Sequence, residues 1–516
     1  MDTSPATLFR GGTLYCPAEP QATALLVRDG RIDWLGPDAD APAADLTVDL
    51  GGALVTPAFV DAHVHATDTG LAISGLDLTA ARSAGELLDA VALFATTQPA
   101  DAVVIGHGWD ESTWPDQTPP TAADLDRVAG GRRVYLTQAS VHSALASTAL
   151  LAAAPRVRGE SGWVKEEDHH AVRELALGSL SVAQRSAAQR TALARAARLG
   201  IGAVHECGGP GTSDEADFTG LLALAGPGNG LPEVYGWWGE LMSAAKAREL
   251  GAVGAGGDLY ADGALGSRTA YLSEPFVGGG GCGMSFVSAD QARDHIVDCT
   301  REASQGGFHA IGDAAIATVL AGFAAAARVV GLDAVRRARH RIEHAELVDK
   351  AMIAGFVEFG IVASMQPAFD RLWGGPKQMY AQRLGVARSL ESNPMGALHG
   401  VGVTLAFGSD SPVTPLDPWG SVRAAVSHFN PAHRMAVRSA FAAHTKGAWR
   451  SIHRDAEGVL AKGAPATFAV WETYAGVVGG MPVLVSRDPD EWGPDDPTRL
   501  PRCVRTVVRG ETIFEE

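Results

Sequence analysis

The feature that most constrains this chain is the run Leu54-Val55-Thr56-Pro57-Ala58-Phe59-Val60-Asp61-Ala62-His63-Val64-His65, apolar almost to its end and closing on His-x-His. In an extended strand residues two apart share a face, so both imidazoles can reach one ion. Taken alone, the pair reads equally well as two polar residues at a strand end. Two later runs, Gly307-Phe308-His309-Ala310-Ile311-Gly312-Asp313 and Arg341-Ile342-Glu343-His344-Ala345, each carry one histidine near the end. Leu405-Ala406-Phe407-Gly408-Ser409-Asp410-Ser411-Pro412 brings an aspartate to the end of another. Alanine-rich helical stretches at 186–199, 314–330 and 348–359 alternate with such runs, the signature of βα units around a parallel sheet. Strand ends are expected near His65, Glu206, Trp238, Asp262, His309, His344, Gln366 and Asp410, and eight ends imply an α/β fold, a (β/α)₈ TIM-like barrel. Barrels of this kind build their sites where the strands end, and four histidines and an aspartate converge there.

The flanks read differently. Ala24-Leu25-Leu26-Val27, the turn Arg28-Asp29-Gly30-Arg31 and Ile32-Asp33-Trp34-Leu35-Gly36 form a hairpin, and the end of the chain repeats this texture in 466–471 and 506–514. Residues 1–55 and 458–516 are expected to pair into a small composite β-sandwich, with the barrel domain over 56–457. An inserted subdomain or lid is expected at about 74–185, a segment too long for a βα loop. With 46% hydrophobic residues in 516, the chain can bury a large core. Its 42 Lys and Arg against 59 Asp and Glu, scattered to a net −17, argue against nucleic acid as a partner. Five dispersed cysteines without a C-x-x-C pair speak for a reducing compartment and against a cysteine metal site. The first residues lack a secretory pattern, and no stretch reaches roughly 18 uninterrupted apolar residues, so a cytoplasmic protein without a membrane partner is expected. A homodimer remains compatible with the sequence. Gly278-Gly279-Gly280-Gly281-Cys282-Gly283 lacks a phosphate-loop pattern, and His169-His170, in a charged stretch, is expected at the surface.

The constellation resembles the amidohydrolase superfamily, in detail its amidohydrolase-3, YtcJ-like branch, over most of the chain. Besides the ligands, the resemblance rests on Gly108-Trp109-Asp110, Pro120-Thr121-Ala122-Ala123-Asp124-Leu125-Asp126, His142-Ser143-Ala144-Leu145, Ser364-Met365-Gln366-Pro367 and above all Asp262-Gly263-Ala264-Leu265-Gly266-Ser267-Arg268-Thr269-Ala270. It implies that His63, His65 and Asp410 bind one divalent metal and His309 and His344 a second, with Asp410 the catalytic proton carrier. Many superfamily members bridge the two ions with a carboxylated lysine on strand four, but Asp258 stands where that lysine would align. A bridge must be anionic, so Glu206 is expected to supply it, with Asp258 the alternative; if neither does, one metal binds. Zinc suits histidine with carboxylate best, although iron, manganese or nickel also fit. Trp109, His142, Asp258, Asp262, Ser267, Arg268 and Gln366 are candidate substrate contacts. Arg268 would clamp a substrate carboxylate or pair with an acid such as Asp262, and Trp109 would line a pocket or simply fill a core.

A divalent ion lowers the pKa of bound water to about 7 and polarises a carbonyl. The expected activity is therefore hydrolysis of a non-peptide carbon–nitrogen bond in a small molecule such as an amide or N-substituted formamide. Two alternatives compete with it. One is a single-metal aminohydrolase that deaminates a heterocycle, disfavoured because no glutamate follows His309 closely. The other is an inactive regulatory homologue, disfavoured by the full ligand set.

Overall fold

The computed structural model describes residues 5–111, 114–138, 143–154, 157, 161–226, 228–484 and 499–516. His142 lies outside them. Eight parallel strands form the central sheet in chain order: β1 (Phe59–Val64), β2 (Ile201–Gly208), β3 (Glu233–Trp238), β4 (Gly254–Ala255), β5 (Gln305–Ala310), β6 (Arg341–His344), β7 (Val362–Met365) and β8 (Leu405–Phe407). Backbone hydrogen bonds from Asp410 N to His63 O (2.8 Å) and from His65 N to Ser411 O (2.9 Å) bring β8 back to β1 and nearly close the barrel. β1, β2, β5, β6, β7 and β8 are buried along their whole length, as strands covered on both faces must be. The fourth strand departs from expectation. It is only Gly254–Ala255, and Asp262 lies in the loop that follows. Helix Asp313–Val330 is long and apolar enough by length and composition to cross a membrane, yet it fills the connection between β5 and β6 and packs on helix Ala289–Arg301, Gly322 against Ala292.

Both ends of the chain build the flanking sheets. Arg31–Gly36, Ala24–Arg28, Thr7–Arg10 and Leu46–Asp49 form one sheet; Thr13–Leu14, Leu54–Pro57, Phe468–Glu472, Arg502–Val508 and Glu511–Glu515 form the other. Phe9, Leu25, Val27 and Ile32 pack with Val55, Phe468, Val470 and Val507 in one apolar core. The hairpin turns on Asp29 (φ 48°) and Gly30 (φ 72°), the left-handed pair that a two-residue turn between twisted strands needs. Strand Leu54–Pro57 runs through Ala58 into β1. Trp471 donates its indole N–H to Thr56 Oγ1 (2.9 Å) and meets Phe59 edge-on, so the second sheet seats the start of the His-x-His strand.

Residues Ala66–Leu193 form a separate compact unit, opening directly after His65 and closing inside helix Val182–Arg198, wider than the insertion expected from sequence. Its five-stranded mixed sheet has the order Trp163–Lys165, Ser143–Ala146, Val134–Gln138, Val104–Trp109, Leu76–Asp77. Trp109 is wholly buried in the core of this unit, beside Trp114 and Trp163, and donates to Leu136 O (2.8 Å). It is therefore not a substrate contact: its polar atom is already spent inside the core. His169 is buried as well, its Nε2 2.8 Å from Tyr135 Oη, and a hydrogen-bond partner of this kind offsets the cost of covering an imidazole; the expected surface position is wrong.

Gly200 shows how tightly sandwich and barrel are joined. At φ +75° it stands before β2, and a Cβ there would lie 2.2 Å from the Trp471 ring. Gly200→Ala meets both a left-handed backbone and an overfilled contact, and is expected to cost about 2–4 kcal/mol, read as a lower urea midpoint at unchanged slope.

Candidate metal centre

Six side chains converge at the ends of β1, β4, β5, β6 and β8. Asp258 lies at their middle. Its Oδ1 is 3.4 Å from His63 Nε2, 3.5 Å from His309 Nδ1 and 3.6 Å from His344 Nε2, and its Oδ2 is 3.1 Å from His65 Nε2. Asp410 Oδ1 lies 3.2 Å from His65 Nε2 and 3.5 Å from His63 Nε2. Ligand atoms at ~2.1 Å around a tetrahedral ion stand ~3.4 Å apart, so these spacings match the edges of a coordination shell.

The other nitrogen of each ring is committed outward. His63 Nδ1 donates to Glu343 Oε2 (2.9 Å), His65 Nδ1 to Cys207 O (3.0 Å), His344 Nδ1 to Gln366 Oε1 (2.9 Å) and His309 Nε2 to Gly263 O (3.2 Å). His63 Nε2, His309 Nδ1, His344 Nε2 and Asp258 Oδ1 are buried and have no hydrogen-bond partner. Buried polar atoms are normally paired, so a group of orphans aimed at one place fits a cation. Two triads, His63 with His65 and Asp258, and Asp258 with His309 and His344, each hold their ligand atoms within 4.8 Å; Asp258 belongs to both and could serve two ions. Burial would raise the Asp258 carboxyl, but His63, His309 and His344 hold it well below the ordinary range. Burial would likewise lower the His65 imidazole, and its bonds to Asp258 and Asp410 push it well above 6.5 instead. The pocket thus demands positive charge, from protons or from metal.

Local backbone explains how these side chains meet. Gly257 (φ +71°) turns the chain after β4 where a Cβ would stand 3.0 Å from Cys207 Sγ, and so Asp258 enters the barrel. His344 (φ 68°) and Asp410 (φ 56°) are left-handed, a conformation costly for residues with a Cβ. At His344 it breaks strand alternation, letting Glu343 and His344 both serve the site. Asp61 clamps the β1 and β8 ends, accepting from Ser409 N (2.8 Å) and His63 N (3.3 Å); burial pushes its carboxyl up to about 6 against those bonds.

Glu206, the expected bridge, is not in the cluster. His205 and Cys207 face the barrel interior, His205 Nδ1 lying 3.4 Å from Arg341 Nη1, so alternation turns Glu206 the other way. It pairs in register with Gly236, where a Cβ would meet Phe218 of helix Glu215–Leu224 outside the barrel. No ligand cluster among the described residues contains it. Asp258, which sequence reading held as the alternative, stands instead between the His63–His65 and His309–His344 pairs.

The second-tier residues also sort differently from expectation. Gln366 holds His344 Nδ1 through its Oε1 and keeps its Nε2 buried without a hydrogen-bond partner. Asp262 is buried with its oxygens on Ile311 N (3.0 Å), Gly312 N (2.8 Å) and Tyr271 N (2.8 Å), stapling the loops after β4 and β5. Arg268 donates to Val277 O (2.9 Å) and Gly279 O within its own loop, not to Asp262, and Ser267 bonds Thr269 Oγ1 (2.7 Å). Sequence reading missed Arg341 and Glu343, although their i, i+2 spacing on β6 signals a shared inward face. It also missed Tyr260, whose hydroxyl lies 3.5 Å from Asp258 Oδ2, and Glu346, buried two residues past His344 with Oε2 unpartnered.

Residues 46–514 match the model of the amidohydrolase family. YtcJ of Bacillus subtilis (strain 168), named as an amidohydrolase, is 26% identical over 99% of this chain and 99% of its own. The N-substituted formamide deformylase of Arthrobacter pascens is 31% identical over a segment covering 25% of each protein. A metal-dependent hydrolase of Pyrococcus furiosus superposes with a TM-score of 0.75 at 24% identity, over 90% of this chain and 98% of that one.

Two measurements test this assignment of residues. Asp258→Asn is expected to lower bound metal sharply while Glu206→Gln leaves it unchanged, and metal reloading in carbon-dioxide-free buffer should be complete because no lysine needs carboxylation; the reverse ranking would restore Glu206 as bridge. Separately, Asp370, on helix Pro367–Trp373 whose Phe369 stacks on His344, is pushed by burial from 3.8 up to about 7 despite accepting from Phe429 N. His428, 3.3 Å away, is pushed by burial down to about 4 and stays neutral near pH 7. The fold thus keeps a proton that the unfolded chain releases, a contribution full below about pH 4 and lost as pH rises through 7. From about pH 5 to 7.5 the thermal midpoint of the metal-free protein should fall relative to that of Asp370→Asn; parallel curves would mean that Asp370 is ionised throughout.

Proposed function

The chain belongs to the amidohydrolase family, and from that premise we propose that it is a metal-dependent hydrolase of a non-peptide carbon–nitrogen bond, with a linear or N-substituted amide of the formamide kind as substrate. The observation that carries this reading is the set of four imidazoles, each tied outward through one nitrogen and presenting the other to Asp258, with Asp410 beside them. A divalent cation held there, zinc by the donor set, would supply a Lewis acid for the amide carbonyl and an acidified water.

The remaining work falls to this chain's own groups. Asp410 reaches the centre through its left-handed backbone and has Oδ1 beside both imidazoles of the His-x-His pair. On this reading its carboxylate takes the proton of the attacking water and passes it to the leaving nitrogen, so that the amine departs neutral. Fixed ligands spare the site reorganisation as charge develops on the carbonyl oxygen. The similarity to the N-substituted formamide deformylase supports this substrate class over ring deamination, although it spans only a quarter of the chain.

The purified protein is expected to carry divalent metal, to release amine and formate from N-substituted formamides, and to stop when chelated. Asp410→Asn should fold normally and lose about 10²–10⁴-fold in kcat. Substantial turnover in that variant would remove Asp410 as proton carrier, and ammonia release from heterocycles without formamide cleavage would replace the substrate class.

A further inference from the structure

His63 differs from the other three imidazoles in what stands behind it. The outward nitrogens of His65 and His309 hydrogen-bond backbone carbonyls and that of His344 an amide, with Asp262 Oδ1 no nearer than 3.8 Å to His309 Nε2, whereas that of His63 hydrogen-bonds a carboxylate, Glu343. Glu343 is 0% exposed, and a buried carboxylate is costly unless its charge is met. Arg341, also 0% exposed, meets it with two bonds, Nη2 to Oε2 (2.7 Å) and Nε to Oε1 (2.5 Å). Arg341 in turn donates to Ala62 O (2.7 Å) and Ser364 Oγ (2.8 Å), and its guanidinium lies 4.2 Å from the centre of the Trp237 ring. An ionised carboxylate only accepts, so His63 Nδ1 carries the proton and Nε2 turns its lone pair to Asp258 and Asp410.

We propose that the Arg341–Glu343 pair is the positioning device of this centre: it fixes the ring and tautomer of His63 and strengthens it as a donor, so that the hold on the cation depends on two residues that do not touch it. This rests on the metal-centre reading above and deepens it. The ligand-type atoms of His63, Cys207 and Glu343 also lie within 4.8 Å of one another, but His63 Nδ1 and both Glu343 oxygens are already engaged, so the trio is a support and not a second cation site.

Loss of such a partner typically weakens metal binding 10–100-fold. The test is Zn²⁺ affinity by chelator competition for the wild type, Glu343→Gln and the double variant Arg341→Met/Glu343→Leu. The single variant strands a buried guanidinium and is open to misfolding. The double variant removes the charges together, a change often neutral for stability, and should keep its metal-free thermal midpoint. Both are expected to bind zinc about 10–100-fold more weakly at unchanged stoichiometry. Wild-type affinity in a folded double variant overturns the proposal. Loss of a whole equivalent at saturating zinc also overturns it, since Glu343 would then be a ligand. A wild-type protein that takes up no stoichiometric zinc overturns the metal-centre reading itself, a result distinguishable from either.

Discussion

Asp258 buried among four imidazoles is the constraint from which the rest of the structure follows. With the outward nitrogens of the rings donating to Glu343, Cys207, Gln366 and Gly263, the inward nitrogens of His63, His309 and His344 are acceptors standing 3.4–3.6 Å from an acceptor oxygen. Acceptors facing one another without a proton or cation between them repel, and burial removes the water that would screen them. The arrangement is stable only when positive charge is present. The unusual conformations around it, left-handed at His344 and Asp410, are the cost of gathering those donors.

The scaffold meets that cost where the barrel closes. The bonds from Asp410 N to His63 O and from His65 N to Ser411 O join the two strand ends that carry candidate metal ligands, and Asp61 bonds to both. Closure and ligand placement are thus one event. Upstream, Trp471 and Phe59 seat the beginning of β1 on the terminal sheet, so the sandwich sets the path on which His63 and His65 lie. A perturbation at Gly200 would reach the centre along β1 without touching a ligand.

The barrel and the gathering of His63, His65, His309, His344 and Asp410 were legible because strand-length apolar runs ended on them and because His63 and His65 share strand parity. The bridge was not. In β2 the run Ala203-Val204-His205-Glu206-Cys207 is buried on both faces, so hydrophobicity does not say which parity points inward, and Glu206 is expected from sequence ahead of Asp258. The site of Asp258 depends on a two-residue strand and a left-handed glycine, both too short to leave a periodic signal. The pairing of Glu343 with His344 on one side of the sheet violates alternation and could not be read from spacing. Trp109 belongs to a motif of the family resemblance, and motif membership does not separate a core indole from a pocket wall.

Beneath the ligands the barrel interior is unusual for its architecture. Barrels of this class commonly fill their interior with layers of branched aliphatic side chains. Here β6 and β7 contribute Arg341, Glu343 and Ser364, His205 faces them from β2, and the Trp237 ring lies against the guanidinium. Apolar packing would hold these strands together at lower desolvation cost, so stability alone does not explain the network. Arg341 bonds Ala62 on β1, Glu343 on its own strand and Ser364 on β7, tying three strands at the level just below the imidazole cluster. A charged layer that gives up cheap packing to place one carboxylate behind one imidazole is best understood as belonging to the centre above it, which makes the lower half of the barrel part of the site.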